Sequence, residues 1–271
     1  MQKESNVQRM FASDKDGKKW NEMYEPGLQT FEKYIFQQRR DFVLAYIERQ
    51  FDTQASVIDL GCGAAPLTLE LLKKGYACTS MDYSMDMIRF AHQRLREHKF
   101  DGAGLLQGDS QSLPFTAGSF DCIACVGVIS YIPEPDKALE EIRRILHADG
   151  KLIITFRNYY NRTLLDPLKL AKYLCLLPVR HFFKKRVEQR RPGAFLKPRE
   201  VEKLLAQQGF TVEKMIGVGF GPIRFHGREL FADALNIRLD KRLSEFIGRI
   251  HNSLKVYTSD VVIMTCRKNK R

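Results

Sequence analysis

Between Ser56 and Phe156, short apolar runs alternate with stretches of helical period, and this alternation restricts the fold more than any other feature of the chain. Ser56–Leu60 reads as a strand, and Ala65–Lys74 as a helix ended by Gly75, a residue free to take the positive φ that closes a last turn. Tyr76–Asp82 is a strand, Ser84–His98 a helix capped by the Ser84 hydroxyl, and Ala103–Gln107 a third strand. Phe120–Val128 is apolar nearly throughout, as a strand covered on both faces must be. Asp136–His147 is a helix closed by the turn Ala148-Asp149-Gly150, and Lys151–Phe156 is the fifth strand. Strands linked by crossover helices form right-handed units with parallel strands.

The pattern breaks at 157–196. It resumes with the helix Pro198–Gln208 and the strand Thr211–Val218, breaks again at 222–257, and ends with the strand Ser259–Cys266. Upstream, 27–50 reads as a helix, with Leu28, Phe31, Tyr34, Ile35, Phe42, Tyr46 and Ile47 at helical spacing. The expected organisation is an N-terminal helical cap, 1–50, and an α/β domain, 51–271, interrupted at 157–196 and 222–257. Ligands of open α/β sheets sit at the carboxyl ends of the strands, so these two interruptions are expected on the substrate side.

Composition narrows the class. The 271 residues are 44% hydrophobic and 28% charged, as in ordinary globular proteins. No run approaches the roughly 18 apolar residues of a membrane span. Met1 to Met10 is polar and lacks the apolar stretch of a secretory signal, so a cytoplasmic protein is expected. Six scattered cysteines, Cys62, Cys78, Cys122, Cys125, Cys175 and Cys266, read as buried free thiols. Cys122 and Cys125 form a C-x-x-C inside an apolar run, with no second ligand pair at suitable spacing, so no metal site is expected. The net charge of +12 is uneven: residues 157–191 hold ten Lys or Arg against two acids, a net +8. Such a segment attracts anionic partners.

The segment Val57-Ile58-Asp59-Leu60-Gly61-Cys62-Gly63-Ala64-Ala65-Pro66 joins the first strand to its helix. Gly61 and Gly63 let the backbone turn sharply and approach a ligand. A dinucleotide fingerprint requires a third small residue where Pro66 stands. Asp59 would also repel a pyrophosphate, whereas it suits a cation such as an ammonium. Asp82 ends the second strand, 21 residues after Gly61, where a carboxylate reaches ribose hydroxyls. Asp109 follows the third strand, where it can accept from an adenine amino group.

These pieces resemble the class I S-adenosylmethionine-dependent methyltransferases, in particular the small-molecule group that includes the ubiquinone-type enzymes. The likeness runs from Val57 to Thr155 through Asp59-Leu60-Gly61-Cys62-Gly63, Met81-Asp82-Tyr83-Ser84, Gly108-Asp109, Leu113-Pro114-Phe115, Ser119-Phe120-Asp121 and Leu146-His147-Ala148-Asp149-Gly150-Lys151-Leu152. It implies a seven-stranded, mostly parallel Rossmann-like sheet with helices on both faces and the last strand antiparallel. It further implies S-adenosylmethionine as cofactor, Gly61, Gly63 and Val126 at the methionyl part, Asp82 at the ribose, and Asp109, Tyr83 and Ser110 at the adenine. Ala65 replaces the third motif glycine and is expected to take negative φ. Ala148-Asp149-Gly150 replaces the usual Pro-Gly-Gly.

A sulfonium is already an activated methyl donor, so the protein must align a nucleophile and exclude water. No diagnostic general base stands out. An Asn-Pro-Pro-Tyr motif is absent after the fourth strand, where Val126-Gly127-Val128-Ile129-Ser130-Tyr131 stands, which argues against methylation of nucleic-acid bases. Candidates for acceptor contact are Trp20, Tyr24, Tyr131, Arg157, Tyr159, Tyr160, Arg224 and His226. In the 157–196 interruption leucines and phenylalanines mix with the basic residues. That reads as a lid packed on the core, or as an interfacial segment meeting anionic lipid. The expected activity is methyl transfer to a small, hydrophobic or lipid-linked acceptor, with oxygen favoured. An RNA or protein methyltransferase and a non-catalytic cofactor-binding scaffold stay open as alternatives.

Overall fold

The computed structural model describes residues 20–269 apart from 21, 25, 26, 162–192, 223, 226, 227 and 251. Helix α1 (Phe31–Gln50) leads into strand β1 (Val57–Leu60). There follow α2 (Pro66–Lys73), β2 (Cys78–Asp82), α3 (Met85–Glu97), β3 (Gly104–Gln107), β4 (Phe120–Val126), α4 (Pro135–Ile145), β5 (Leu146–Arg157), α5 (Pro198–Gln207) and β6 (Phe210–Val218). A short hairpin, β7 (Arg224–Phe225) and β8 (Arg228–Glu229), and two helices, α6 (Asp233–Ile250) and α7 (Asn252–Thr258), precede β9 (Val261–Lys268).

Seven strands form one sheet in the order β3-β2-β1-β4-β5-β9-β6. Strands β1 to β5 pair in parallel, and β9 runs antiparallel to both β5 and β6. The expected sheet is therefore the observed one, with its antiparallel strand inside the sheet. Between β1 and β4 the strand order reverses, and a crevice opens there at the carboxyl edge.

Both faces of the sheet are covered. In β4, Cys122 and Ala124 pack with Ile35, Val43 and Ile47 of α1, whereas Ile123 and Cys125 pack with Leu139 and Ile142 of α4. The C-x-x-C pair is thus divided between the two faces, and both thiols are free and buried. Cys175 lies outside the described residues. Helix α1 shares one core with the sheet, through Phe31, Ile35, Val43 and Ile47.

Three local expectations are corrected. Thr30 Oγ1 accepts from the Lys33 amide at 3.2 Å and caps α1, so the helix begins at Phe31 and Leu28 is left 83% exposed. The turn at Ala148-Asp149-Gly150 does not close a helix. Strand β5 starts at Leu146, opposite Phe120, and the register shifts between Phe120 and Cys122. Ala65 has φ 57 and ψ 39, the left-handed region, rather than negative φ. That conformation costs an L residue about 1–2 kcal/mol. Burial of the methyl beside Leu69, Ala91 and Leu95 offsets part of this, at about 0.8 kcal/mol per buried carbon.

Helix α6 is fastened to α1 by two carboxylates. Asp233 Oδ1 accepts from the Phe31 amide at 2.8 Å. Asp240, buried, accepts from the Tyr34 hydroxyl at 2.8 Å and from the Phe220 amide. Burial raises the Asp240 carboxyl above its ordinary range. Asp240→Ala would orphan a hydroxyl and an amide, each costing about 1–3 kcal/mol. Urea unfolding is expected to show a loss of about 3 kcal/mol, partly recovered in Asp240→Asn, and a loss below about 1 kcal/mol would contradict this fastening.

Candidate functional site

The site is assembled where β1, β2, β3 and β4 end. The Gly61 and Cys62 amides both donate to Met81 O, at 2.7 and 3.0 Å, so the loop after β1 folds over the end of β2. Gly61 has φ +73, and a Cβ there would lie 2.2 Å from Val128 Cγ2, so only glycine fits. Gly63, at φ +55, faces open space. Pro66 opens α2 at a position where its missing N–H is no loss.

Asp59 lies beneath this loop. It is 2% exposed and accepts from Thr68 Oγ1 at 2.8 Å, and the Thr68 hydroxyl shares a 2.7 Å bond with that of Ser80. Burial raises its pKa to about 7, against the Thr68 bond, with Asp82 adding to the rise. Asp82 links the ends of β1 and β2: one carboxylate oxygen accepts from the Gly63 amide at 2.8 Å, the other from the Ser84 amide at 2.9 Å. Burial raises its carboxyl, and these amide bonds pull it back. Asp109 accepts from the Gln111 amide at 2.9 Å and from the Gln111 side chain.

One cavity at this edge is bordered by Asp59, Gly61, Gly63, Asp82, Tyr83, Asp109, Ser110 and Val126, all eight residues expected at the cofactor. Its other wall carries Trp20, Tyr24, Phe36, Arg39, Tyr131 and Arg157. Tyr24, Tyr131 and Arg157 are thus brought beside the cofactor candidates. Tyr160 is not. The chain turns at Asn158, whose Oδ1 accepts the Tyr160 amide, and the Tyr160 ring packs between Tyr159 and Tyr257. Arg224 lies in β7, and His226 lies outside the described residues.

Sequence reasoning missed Arg39. Its side chain is 7% exposed, its Nε has no partner, and its guanidinium lies 4.4 Å from the Phe36 ring centroid. Nη2 donates to the Tyr24 hydroxyl at 3.3 Å, and Nη1 lies 2.6 Å from where a Cβ on Gly127 would be. No carboxylate pairs with it among the described residues. The signal was present in the helical spacing: Arg39 occupies a position in the buried stripe Ile35, Phe36, Val43 and Ile47.

A sheet of this order, with an acid at the carboxyl end of each of its first three strands and glycines after the first, defines the class: a Rossmann-like domain built for a nucleoside cofactor. Comparison with known proteins narrows it. Residues 58–154 match the family model of a methyltransferase domain. The ubiquinone biosynthesis O-methyltransferase of Xanthomonas axonopodis pv. citri (strain 306) is 25% identical over 192 residues, 70% of this chain and 75% of that protein. Among solved structures, the magnesium protoporphyrin IX methyltransferase from Synechocystis PCC 6803, with S-adenosylhomocysteine bound, matches with a TM-score of 0.63 at 18% identity, covering 97% of this chain and 98% of that one. A 4+2 cyclase matches with a TM-score of 0.58 at 17% identity, covering 91% and 85%. The structural likenesses speak for the fold; the matched domain and the O-methyltransferase relatives speak for the reaction. The chain is a class I S-adenosylmethionine-dependent methyltransferase, with S-adenosylmethionine as its cofactor.

Asp59 makes stability depend on pH. Its folded pKa of about 7 exceeds the ordinary value of 3.8, so its contribution is full below that value and is lost as pH rises through 7. Denaturant midpoints of the free protein are expected to fall between about pH 4 and 7, and Asp59→Asn to flatten much of that fall. An unchanged slope in the variant would show that Asp59 is not the group responsible.

Proposed function

We propose that the protein methylates an oxygen of a small, hydrophobic or lipid-linked acceptor. The observation that carries this reading is the apolar and aromatic lining of the same cavity, formed by Trp20, Tyr24, Phe36 and Tyr131 with Ile132 and Val128. An apolar, partly enclosed wall suits an apolar acceptor and keeps water from the methyl group. The relative named for O-methylation in ubiquinone biosynthesis supports oxygen as the atom methylated.

The residues present fit the cofactor. Each Asp82 oxygen keeps a lone pair after accepting one amide, enough for two ribose hydroxyls. Gly63 leaves open space where a side chain would stand. Asp59 offers a carboxylate for the ammonium, and Arg39 a buried guanidinium, with no carboxylate partner among the described residues, for the carboxylate. Asp109, Tyr83 and Ser110 would border the adenine, and Val126 the methionyl chain. The cofactor supplies a methyl group on a positively charged sulfur. The chain's own work is to orient the acceptor oxygen toward that methyl and to exclude water.

Asp82→Ala is expected to weaken binding of S-adenosylmethionine and S-adenosylhomocysteine at least tenfold in a chain that stays folded, since each bond to a charged group contributes roughly 1.5–3 kcal/mol. Calorimetry checks this, and an unchanged dissociation constant would remove Asp82 from the site. Transfer itself is read with methyl-labelled cofactor and cell extract: label is expected in the organic-solvent fraction, and label confined to RNA or protein would contradict a small acceptor.

The basic segment 157–191, of which 162–191 lies outside the described residues, is proposed to touch an anionic membrane surface. No helix among the described residues is long and apolar enough to cross a membrane. Exposed charges are screened over about 8 Å at physiological salt, so sedimentation with anionic vesicles should weaken steeply as salt rises. Replacing Lys184, Lys185 and Arg186 by Glu should reduce it without changing cofactor affinity. Parent protein that leaves anionic vesicles untouched at low salt would contradict the contact.

A further inference from the structure

Three arginines border the cavity: Arg40 is paired with Asp41, Arg39 is assigned above to the cofactor's carboxylate, and Arg157 is left over. Arg157 stands at the end of β5, beside Tyr131. Its guanidinium lies 4.7 Å from the Phe195 ring centroid, and its side chain is 35% exposed. The nearest acids, Glu32 and Asp260, are each 3.9 Å away, too far for a hydrogen bond, and its buried Nε has no partner. A guanidinium carries five donors in a fixed fork, and unfilled donors in a half-buried site favour an anion that fills them. Tyr131 lines the same cavity as Arg157 and Arg39, and burial keeps its phenol protonated, so it can donate. Gly193 closes against its ring, where a Cβ would lie 3.0 Å from Cε1.

We propose that Arg157 and Tyr131 receive a carboxylate of the acceptor, and that the oxygen methylated belongs to that carboxylate. The proposal rests on the methyl-transfer reading above and names its substrate class. An alcohol or phenol must surrender a proton as it is methylated. Among the described residues lining the cavity there is no His, Lys or Glu, and Asp59, Asp82 and Asp109 lie on the cofactor wall. A carboxylate arrives already ionised. One of its oxygens donates a lone pair to the methyl carbon and forms the O–CH3 bond. The C–S bond breaks, its electron pair stays on sulfur, and the sulfonium becomes a neutral thioether. The carboxylate becomes a neutral methyl ester, and no proton is released. Opposite charges vanish together, a change favoured where water is scarce.

Two measurements test this. Organic-solvent extract is methylated with labelled cofactor, and the product is treated with mild alkali. A methyl ester releases its label as methanol, which is the result expected; label that survives alkali marks an ether or amine and overturns the proposal alone. Transfer of no label at all overturns the methyl-transfer reading and this proposal with it. The second readout is independent of turnover. Trp20, the chain's single tryptophan, lines the cavity, so its fluorescence reports occupancy. The parent protein is expected to bind octanoate at least tenfold more tightly than octanol, and Arg157→Gln to lose that preference while keeping its affinity for S-adenosylhomocysteine. Equal affinity for the two probes in the parent, or a preference that survives in Arg157→Gln, overturns the assignment of Arg157.

Discussion

The hydrogen bond from the Gly63 amide to the Asp82 carboxylate holds the site together. Parallel strands place their carboxyl ends side by side but join none of them through a tight turn. The ends of β1 and β2 are connected instead by bonds across the gap: Gly63 to Asp82, Gly61 and Cys62 to Met81 O, and below them Asp59 to Thr68 to Ser80. The glycine loop thereby takes its shape from the neighbouring strand. A carboxylate that organises the loop is also the one with lone pairs left for a ligand. Loop geometry and, on the proposed reading, ligand recognition therefore rest on one side chain.

Around that bond the cavity is divided by charge. Carboxylates stand at the ends of β1, β2 and β3, and guanidiniums approach from α1 and the end of β5. A ligand bearing an ammonium, a sulfonium and a carboxylate finds both signs within one pocket, and electrostatic attraction is strong where water is displaced. The carboxyl of Asp59, raised to about 7 by burial, records what this layout costs the free protein. A cation set beside it would favour its ionised form.

The strands and the acids were legible because each follows a local rule. Apolar runs with turn residues mark the strands, and an acid directly after a strand lies at the carboxyl edge. What was not legible depends on pairing over long range. Leu146 enters β5 because Phe120 stands opposite it, which no local pattern announces. Ala65 takes φ 57 because the loop must reach Met81 O and then enter α2, and its methyl has a buried place among Leu69, Ala91 and Leu95. Tyr160 is three residues beyond Arg157, but the bridge between Asn158 and Leu196 redirects the chain toward Tyr257. Arg39 was readable in principle, as a charge inside an apolar helical stripe, and such a residue marks either a buried ion pair or a ligand.

The central claim is that one cavity, organised by Asp82, takes the whole cofactor with its carboxylate on Arg39. A crystal structure with S-adenosylhomocysteine tests it most directly. The account predicts the ribose hydroxyls on Asp82, the adenine edge beside Asp109 and the amino-acid carboxylate on the Arg39 guanidinium, with Tyr131 and Arg157 not touching the nucleoside. A nucleoside bound away from Asp82, or a carboxylate held by Arg157 with Arg39 unengaged, would contradict it.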